Sequence, residues 1–484
     1  MRLSLFVRTA AAVLLCAAAC PHVSEAYSLQ THEQLIDLTW QSSVVPLLRS
    51  RYPTLTDEQV EHARAYAYGG CVIQDIGYYP FGDANFSNLT HYVRSGDFVV
   101  NLFRNAGNAD ELAFAVGALS HYIGDNIGHP MATNLAVPVE FPKLAARYGK
   151  SVNYSQGAHE HVQTEFGFDI HEIAMHRFAP VHYLRHVGLA VPTRQLALAF
   201  YQTYGLREDF TDRKHSRINV STYRFATRKF IPRIAYAVTI LKRSHEVPDA
   251  VNDPDVAALS ARMAEVAQRN HWDEYRKSAG IGTYSLAGLL WILPKVGPIK
   301  LVAVKGPTAE TQREYAHSVM MSAKVLDRVL QRFTPPPATR PSAEVAAAED
   351  SKRDPQSSNA VPELPGASQV VIRGARDPLH PLANRDLDTG REVKPAGYPL
   401  TDLTYARLLH RLVQQPKQPI PPGIKRDILA YYANLELPYE SKRHAGQWDA
   451  VLMDLVVLRA MPTNPDPVPY PTYGKGDNDD FSGN

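Results

Sequence analysis

The chain of 484 residues is long enough for one large domain with smaller additions. Its 51 lysines and arginines nearly balance its 49 aspartates and glutamates, so net charge does not indicate nucleic acid or an anionic membrane as the default partner. Of the three cysteines, Cys16 and Cys20 fall in an apolar N-terminal segment that we expect to be removed. Cys71 is then alone in the mature chain, which excludes an intramolecular disulfide.

The N-terminus has the pattern of a signal peptide, which we place at residues 1–26. Arg2 precedes an apolar run from Thr9 to Cys20, and Ser24-Glu25-Ala26 offers small residues at the cleavage site. We therefore expect a secreted or periplasmic protein whose first residue is Tyr27. Lipid attachment at Cys20 is the less favoured alternative.

Residues 27–335 are predicted to form an all-α, multi-helix domain. Apolar residues recur at helical spacing and alternating strand patterns are scarce, as the run Leu112, Ala115, Val116 and Leu119 illustrates. Three local signals predict helix ends: a capping box from Thr31 to Gln34, a start at Asn108 followed by Glu111, and a stop at Pro130.

The most apolar later segment, Leu286 to Val304, is interrupted by Pro294, Lys295, Pro298 and Lys300. These interruptions argue against a transmembrane span in the mature chain. Its part from Trp291 to Val304 could insert into a lipid surface, although a loop that packs on the core is the favoured interpretation.

Composition divides the remainder of the chain into three parts. Residues 336–397 are rich in Pro, Ala and Ser and are predicted to be a linker that is partly disordered. Helical periodicity returns in a block at residues 398–461, and the tail at 462–484 is predicted to lack regular structure. We expect this block to be dispensable for the chemistry, because the candidate catalytic residues all lie earlier in the chain.

The densest chemical signal is the run from His121 through Asp125 to His129. Three metal-ligand side chains at i, i+4 and i+8 lie on one face of a helix, since each step of four residues turns about 40° around the axis. The surrounding stretch is apolar and should face the core, where buried ionisable groups usually have partners or metals. One helix could therefore supply ligands to neighbouring metal ions.

His161 and Glu165 repeat the four-residue spacing with an imidazole and a carboxylate, both of which suit zinc. Such a pair alone is more often an exposed helix face. The pair supports a metal site only in combination with the run from His121 to His129.

The order of these candidates along the chain resembles the ligand series of the bacterial zinc-dependent phospholipase C family, whose fold fungal single-strand nucleases share. The similarity spans about residues 27–335. The matching residues, in chain order, are His32, Asp75 in the run Gln74-Asp75-Ile76-Gly77-Tyr78-Tyr79-Pro80, His91, His121, Asp125, His129, His161 and Glu165.

The resemblance implies a centre of two to three zinc ions. Asp75, His91, His121 and Asp125 would hold the first ion, and His129, His161 and Glu165 would hold the second and leave a position for water. The third ion would be held by His32, by the shared Asp125, and by the free amine and carbonyl of Tyr27, which stands where the family has tryptophan. Asp75 is the expected general base.

The resemblance implies hydrolysis of phospholipid head groups, or of another phosphodiester, with transient contact to a membrane surface. A single-strand nuclease of the same fold is one alternative, but near-neutral charge argues mildly against nucleic acid. The other alternative is a non-catalytic zinc-binding surface protein.

Overall fold

The computed structural model describes residues 28–78, 82–210, 220–242, 250–277, 280–292, 304, 306–331 and 380–465. The predicted signal peptide, Tyr27, most of the predicted linker and the end of the tail therefore lie outside the described residues. The described chain is 73% helical and has one small two-stranded sheet, which confirms the predicted all-α class.

The α-helices, numbered in chain order, are α1 Leu29–Thr39, α2 Val45–Arg51, α3 Asp57–Gly70, α4 Ala84–Tyr92, α5 Ser95–Arg104, α6 Ala109–Gly128, α7 Asn134–Glu140, α8 Pro142–Tyr148, α9 Ala158–Ala174, α10 Val181–Val187, α11 Thr193–Tyr204, α12 Val220–Phe225, α13 Ile231–Lys242, α14 Pro254–Arg269, α15 Trp272–Tyr275, α16 Ile281–Ile292, α17 Ala309–Gln331, α18 Pro399–Val413, α19 Pro422–Tyr431 and α20 Ala445–Ala460. A two-stranded antiparallel sheet joins β1 Arg385–Asp386 to β2 Arg391–Glu392. Within the described residues, no helix is both long enough and apolar enough to cross a membrane.

Helix α6 lies at the centre of the core, with α1, α3, α5 and α17 packed around it. Its contact with α3 is close because glycines face the neighbouring backbone. A Cβ atom on Gly70 would lie 2.1 Å from the carbonyl oxygen of Phe114, and one on Gly117 would lie 2.2 Å from that of Ala67. Only glycine at these positions permits this helix-to-helix distance.

The three predicted helix ends had different outcomes. Asn108 caps α6 by accepting a hydrogen bond from the backbone N–H of Glu111 at 2.9 Å, as predicted. The capping box at Thr31 was wrong: α1 begins at Leu29, and the Thr31 hydroxyl instead donates to Asp169 at 2.8 Å. Pro130 does not stop the helical path, because a π-helical turn at His129–Thr133 leads directly into α7.

Residues 380–398 pack against the helices that surround the site, although composition assigns most of them to the linker. The Tyr122 hydroxyl of α6 donates to the carbonyl of Ala383 at 2.6 Å, and the backbone N–H of Leu387 donates to the carbonyl of His91 at 3.1 Å. Leu387 is fully buried and belongs to the same hydrophobic core as α18, α19 and α20. Composition could not reveal this packing, because the segment's partners lie hundreds of residues earlier in the chain.

Candidate metal centre

Eight of the nine predicted ligands lie together in the interior, and each is almost completely buried. They come from six separate elements: His32 from α1, Asp75 from the 3-10 turn Gln74–Gly77, His91 from α4, His121 and Asp125 from α6, His129 from the following π-helical turn, and His161 and Glu165 from α9. The ninth, Tyr27, lies outside the described residues. That these residues bind metal stays a prediction.

The first group contains Asp75, His91 and His121, whose potential ligand atoms all lie within 4.8 Å of one another. Nε2 of His91 lies 3.2 Å from Oδ1 of Asp75 and 3.4 Å from Nε2 of His121. Oδ2 of Asp125 adds a fourth donor, at 3.1 Å from His121 and 3.4 Å from His91. The four predicted ligands of the first ion are thus adjacent.

A second group shares two of these side chains. His32, His121 and Asp125 lie within the same distance limit, and Nε2 of His32 is 3.4 Å from Oδ1 of Asp125. The rings of His32 and His121 are stacked, with centroids 4.1 Å apart. The two oxygens of Asp125 therefore face different groups, an arrangement suited to bridging two cations.

The third group consists of His129, His161 and Glu165. Nε2 of His161 lies 2.9 Å from Oε1 of Glu165 and 3.0 Å from Nδ1 of His129. Helix α9 carries His161 and Glu165 one turn apart, so both project from the same face.

Backbone carbonyls orient two of the imidazoles. Nδ1 of His91 lies 2.7 Å from the carbonyl oxygen of Ser87, and Nδ1 of His121 lies 3.0 Å from that of Cys71. A carbonyl can only accept, so each Nδ1 carries a proton and Nε2 is the nitrogen that faces the cluster. Histidine in this orientation can bind a metal through Nε2 when that nitrogen is deprotonated.

The electrostatics also fit a bound cation. Among the described residues, the ion-pair partners of Asp75 and Asp125 are histidines, without a lysine or arginine. Burial raises the pKa of Asp75, while His121 and His91 oppose that shift. For Asp125, burial is outweighed by His121 and the neighbouring histidines, which bring its pKa well below the usual range. Buried carboxylates with no permanent positive charge beside them are costly unless a cation joins them.

The third group is in the neutral imidazole form. Burial lowers the pKa of His161 to about 3, and burial together with the neighbouring His161 lowers the pKa of His129 well below its usual value. Two neutral imidazoles and one carboxylate are the donor types that zinc takes in catalytic sites.

Asp388 is a residue at this centre that the sequence analysis missed. It is fully buried, and its Oδ1 lies 3.6 Å from Nε2 of His129. Burial raises the pKa of its carboxyl to about 7. No local pattern marked it, because it stands alone in a short turn of a segment whose composition resembles a linker.

The fold and the site together define a class: an all-helical protein with a buried centre of imidazoles and carboxylates that could hold metal ions. Residues 31–209 match the model of the family described as zinc dependent phospholipase C, which supports the resemblance. The match includes all eight described ligand candidates and excludes Tyr27, Asp388 and the C-terminal helices. Searches of curated proteins and of solved structures gave no match to this chain.

Proposed function

We propose that this protein is an exported zinc-dependent phosphodiester hydrolase that cleaves phospholipid head groups in the manner of a phospholipase C. The observation that carries the proposal is the convergence of eight buried candidate ligands, in three groups of which two share His121, within the part of the chain that matches the zinc-dependent phospholipase C family. Export rests on the N-terminal sequence, which lies outside the described residues.

The ligand assignment follows the three groups. Asp75, His91, His121 and Asp125 would hold one zinc ion, and His129, His161 and Glu165 a second. A third ion would take His32, Asp125 and the amine of Tyr27. When bound, zinc supplies positive charge for the phosphoryl oxygens and makes water more acidic at neutral pH.

Asp75 is the proposed general base. Its carboxylate lies between two imidazoles, with Oδ1 at 3.2 Å from Nε2 of His91 and Oδ2 at 3.9 Å from Nε2 of His32. A carboxylate oxygen at this position can accept the proton of the water that attacks phosphorus.

A phospholipid surface is the proposed partner, and helix α16 is the proposed contact. The helix contains no charged residue, yet Ile281, Trp291 and Ile292 are 87%, 75% and 72% exposed. Its other face, formed by Leu286, Ala287 and Leu290, packs with residues of α9 and α13. Helix α9 carries His161 and Glu165. Contact with lipid would therefore occur on α16, which packs directly against a helix of the metal centre.

This arrangement favours a lipid over a nucleic acid as substrate. An apolar helix face with exposed tryptophan suits the boundary between head groups and acyl chains. A net charge of +2 over the whole chain gives no electrostatic preference for a polyanion.

The test is turnover by the purified mature protein in its metal-free and zinc-reconstituted forms. The substrates are vesicles of phosphatidylcholine, vesicles of phosphatidylinositol, and single-stranded DNA. We expect zinc-dependent release of a phosphorylated head group from at least one lipid. Cleavage of DNA alone would identify the protein as a nuclease, and zinc binding without any turnover would support a non-catalytic zinc protein.

A further inference from the structure

We propose that Asp388 is a positioning residue for His129, supplied to the metal centre by the C-terminal part of the chain. This inference rests on the proposed metal centre and extends it beyond the region that matches the family. It concerns the group formed by His129, His161 and Glu165.

His129 presents its two ring nitrogens to different partners. Nδ1 lies 3.0 Å from Nε2 of His161 and so faces the metal-binding group, whereas Nε2 faces Oδ1 of Asp388 at 3.6 Å. A histidine that binds a metal through one nitrogen keeps its proton on the other, and that N–H usually requires an acceptor. Asp388 offers a carboxylate on that side of the ring. The pair is longer than a hydrogen bond, and a shift of about 0.6 Å would bring it to hydrogen-bonding distance.

The Asp388 carboxylate is held in place from its other side. Oδ2 accepts hydrogen bonds from the hydroxyls of Tyr92 at 2.9 Å and Tyr398 at 2.5 Å. The backbone carbonyl of Asp388 accepts a further bond from the side chain of Asn134 at 2.9 Å. These contacts restrict the side chain to an orientation in which Oδ1 faces His129.

The conformation of the hairpin from Arg385 to Glu392 places the Asp388 side chain beside His129. Asp386 pairs with Arg391 across the strands, and its carboxylate accepts from the backbone N–H of Thr389 at 2.9 Å, which closes the turn. Gly390 has a φ of 66°, and a Cβ there would lie 2.5 Å from the carbonyl oxygen of Asn126 on α6. A larger residue would push the turn, and Asp388 with it, away from the helix.

Metal binding by His129 would then depend on a hairpin that lies outside residues 31–209, the region that matches the family. Replacing such an outer partner of a metal-binding histidine typically lowers metal affinity by about 10- to 100-fold. The loss should concern the ion held by His129, because His129 is the candidate ligand whose ring Asp388 faces.

The experiment compares Asp388→Asn with Glu392→Gln in the full mature chain. Glu392 lies on the same hairpin, its side chain is 74% exposed, and its substitution is the same change from carboxyl to carboxamide, so it is a matched control. Zinc stoichiometry and stepwise affinities are measured by competition with a chelator, and the melting temperature of the metal-free form is measured in parallel. We expect one zinc ion to bind about 10- to 100-fold more weakly in Asp388→Asn, with the remaining ions and the control unchanged.

Three outcomes would overturn the inference: unchanged affinities, an equal loss at every ion with a less stable metal-free form, or the same loss in Glu392→Gln. If Asp388→Asn does not fold, Tyr398→Phe removes one anchor of the carboxylate and should weaken the same ion by a smaller factor. An unchanged affinity in that variant would then count against the inference. Because zinc affinity is measured without turnover, a failure of the proposed enzyme activity would be visible separately.

Discussion

Oδ1 of Asp125 lies 3.4 Å from Nε2 of His32, on the side of the carboxylate opposite to the oxygen that faces His91 and His121. Asp125 thus faces ligand candidates of two groups, since its Oδ2 lies beside His91 and His121 and its Oδ1 beside His32, whereas His32 belongs to one group. Substitutions of Asp125 and of His32 should therefore differ in how much metal they remove.

Substitution of Asp125 should therefore remove more metal than substitution of His32. We expect Asp125→Ala to lose two zinc ions and His32→Ala to lose one. Each lost ion should also lower thermal stability, since a ligand present at a thousand times its Kd stabilises the folded state by about 4 kcal/mol. Metal analysis and calorimetry of the two variants provide the measurement, and equal zinc content in both would contradict the bridging role.

Asp75→Asn should separate metal binding from chemistry. The carboxamide oxygen can still occupy the ligand position, but it cannot accept the proton of the attacking water. We expect most of the zinc to remain while kcat falls by about 10²- to 10⁴-fold. Near-normal turnover with full zinc content would show that another group is the base.

Asp37 should make stability depend on pH. Burial raises the pKa of its carboxyl to about 7, and the Tyr68 hydroxyl donates to it at 2.6 Å. Because the pKa of Asp37 is higher in the folded than in the unfolded state, its protonated carboxyl stabilises the folded protein. This stabilisation is complete below the unfolded pKa near 4 and is lost as the pH rises through the folded pKa of about 7. Asp37→Asn does not titrate, so relative to this variant the wild type should lose roughly 2 to 3 kcal/mol between pH 5 and pH 8. Denaturant unfolding of both metal-free proteins at the two pH values gives the difference, and parallel pH profiles would refute the prediction.

Trp291→Ser should weaken contact with lipid and leave the catalytic centre intact. Losing a large apolar side chain at the interface should lower vesicle binding at least about 10-fold, because at roughly 25 cal/mol per Å² this already follows from losing about 55 Å² of buried apolar surface. Turnover of a soluble short-chain phosphodiester should not change. The matched control is Met453→Ser, since Met453 on α20 is comparably exposed at 71%. Equal loss of vesicle binding in both variants would remove the special role of α16.

Processing at Tyr27 should complete the third zinc site. With Ala26 still attached, the nitrogen of Tyr27 is an amide, a far poorer ligand than an amine. His32 and Asp125 would then provide too few donors for the usual four around zinc. We expect protein that begins at Tyr27 to hold one more tightly bound zinc ion than protein that begins at Ala26. Equal zinc content and activity would exclude Tyr27 from the site.

Local patterns in the sequence were sufficient for the helical class and for much of the candidate centre. The spacing of His161 and Glu165 predicts a shared helix face, and both lie on one face of α9. Asn108 and Glu111 likewise mark a helix start that the structure contains. Such signals act within one or two helical turns, where the chain's own periodicity fixes which side chains are neighbours.

The resemblance to a family identified the candidate ligands that no local sequence pattern marks. Asp75 lies on a 3-10 turn and His32 on a different helix, so no spacing rule relates them to His121. Their proximity depends on how the helices pack around α6. The order of the candidate ligands along the chain predicted that Asp75 and His32 belong to the metal centre. The three-dimensional structure shows which of their atoms face one another.

The sequence by itself determined the helices, the histidines and carboxylates that they carry, and the likeness to a family. Only the tertiary structure decided that Thr31 pairs with Asp169 instead of capping a helix, that Gly70 and Gly117 let α3 and α6 approach closely, and that Asp388 lies behind His129. Periodicity reports the environment of a residue along its own helix. A contact between distant segments depends on burial, close packing and the need to satisfy buried polar groups across the whole fold.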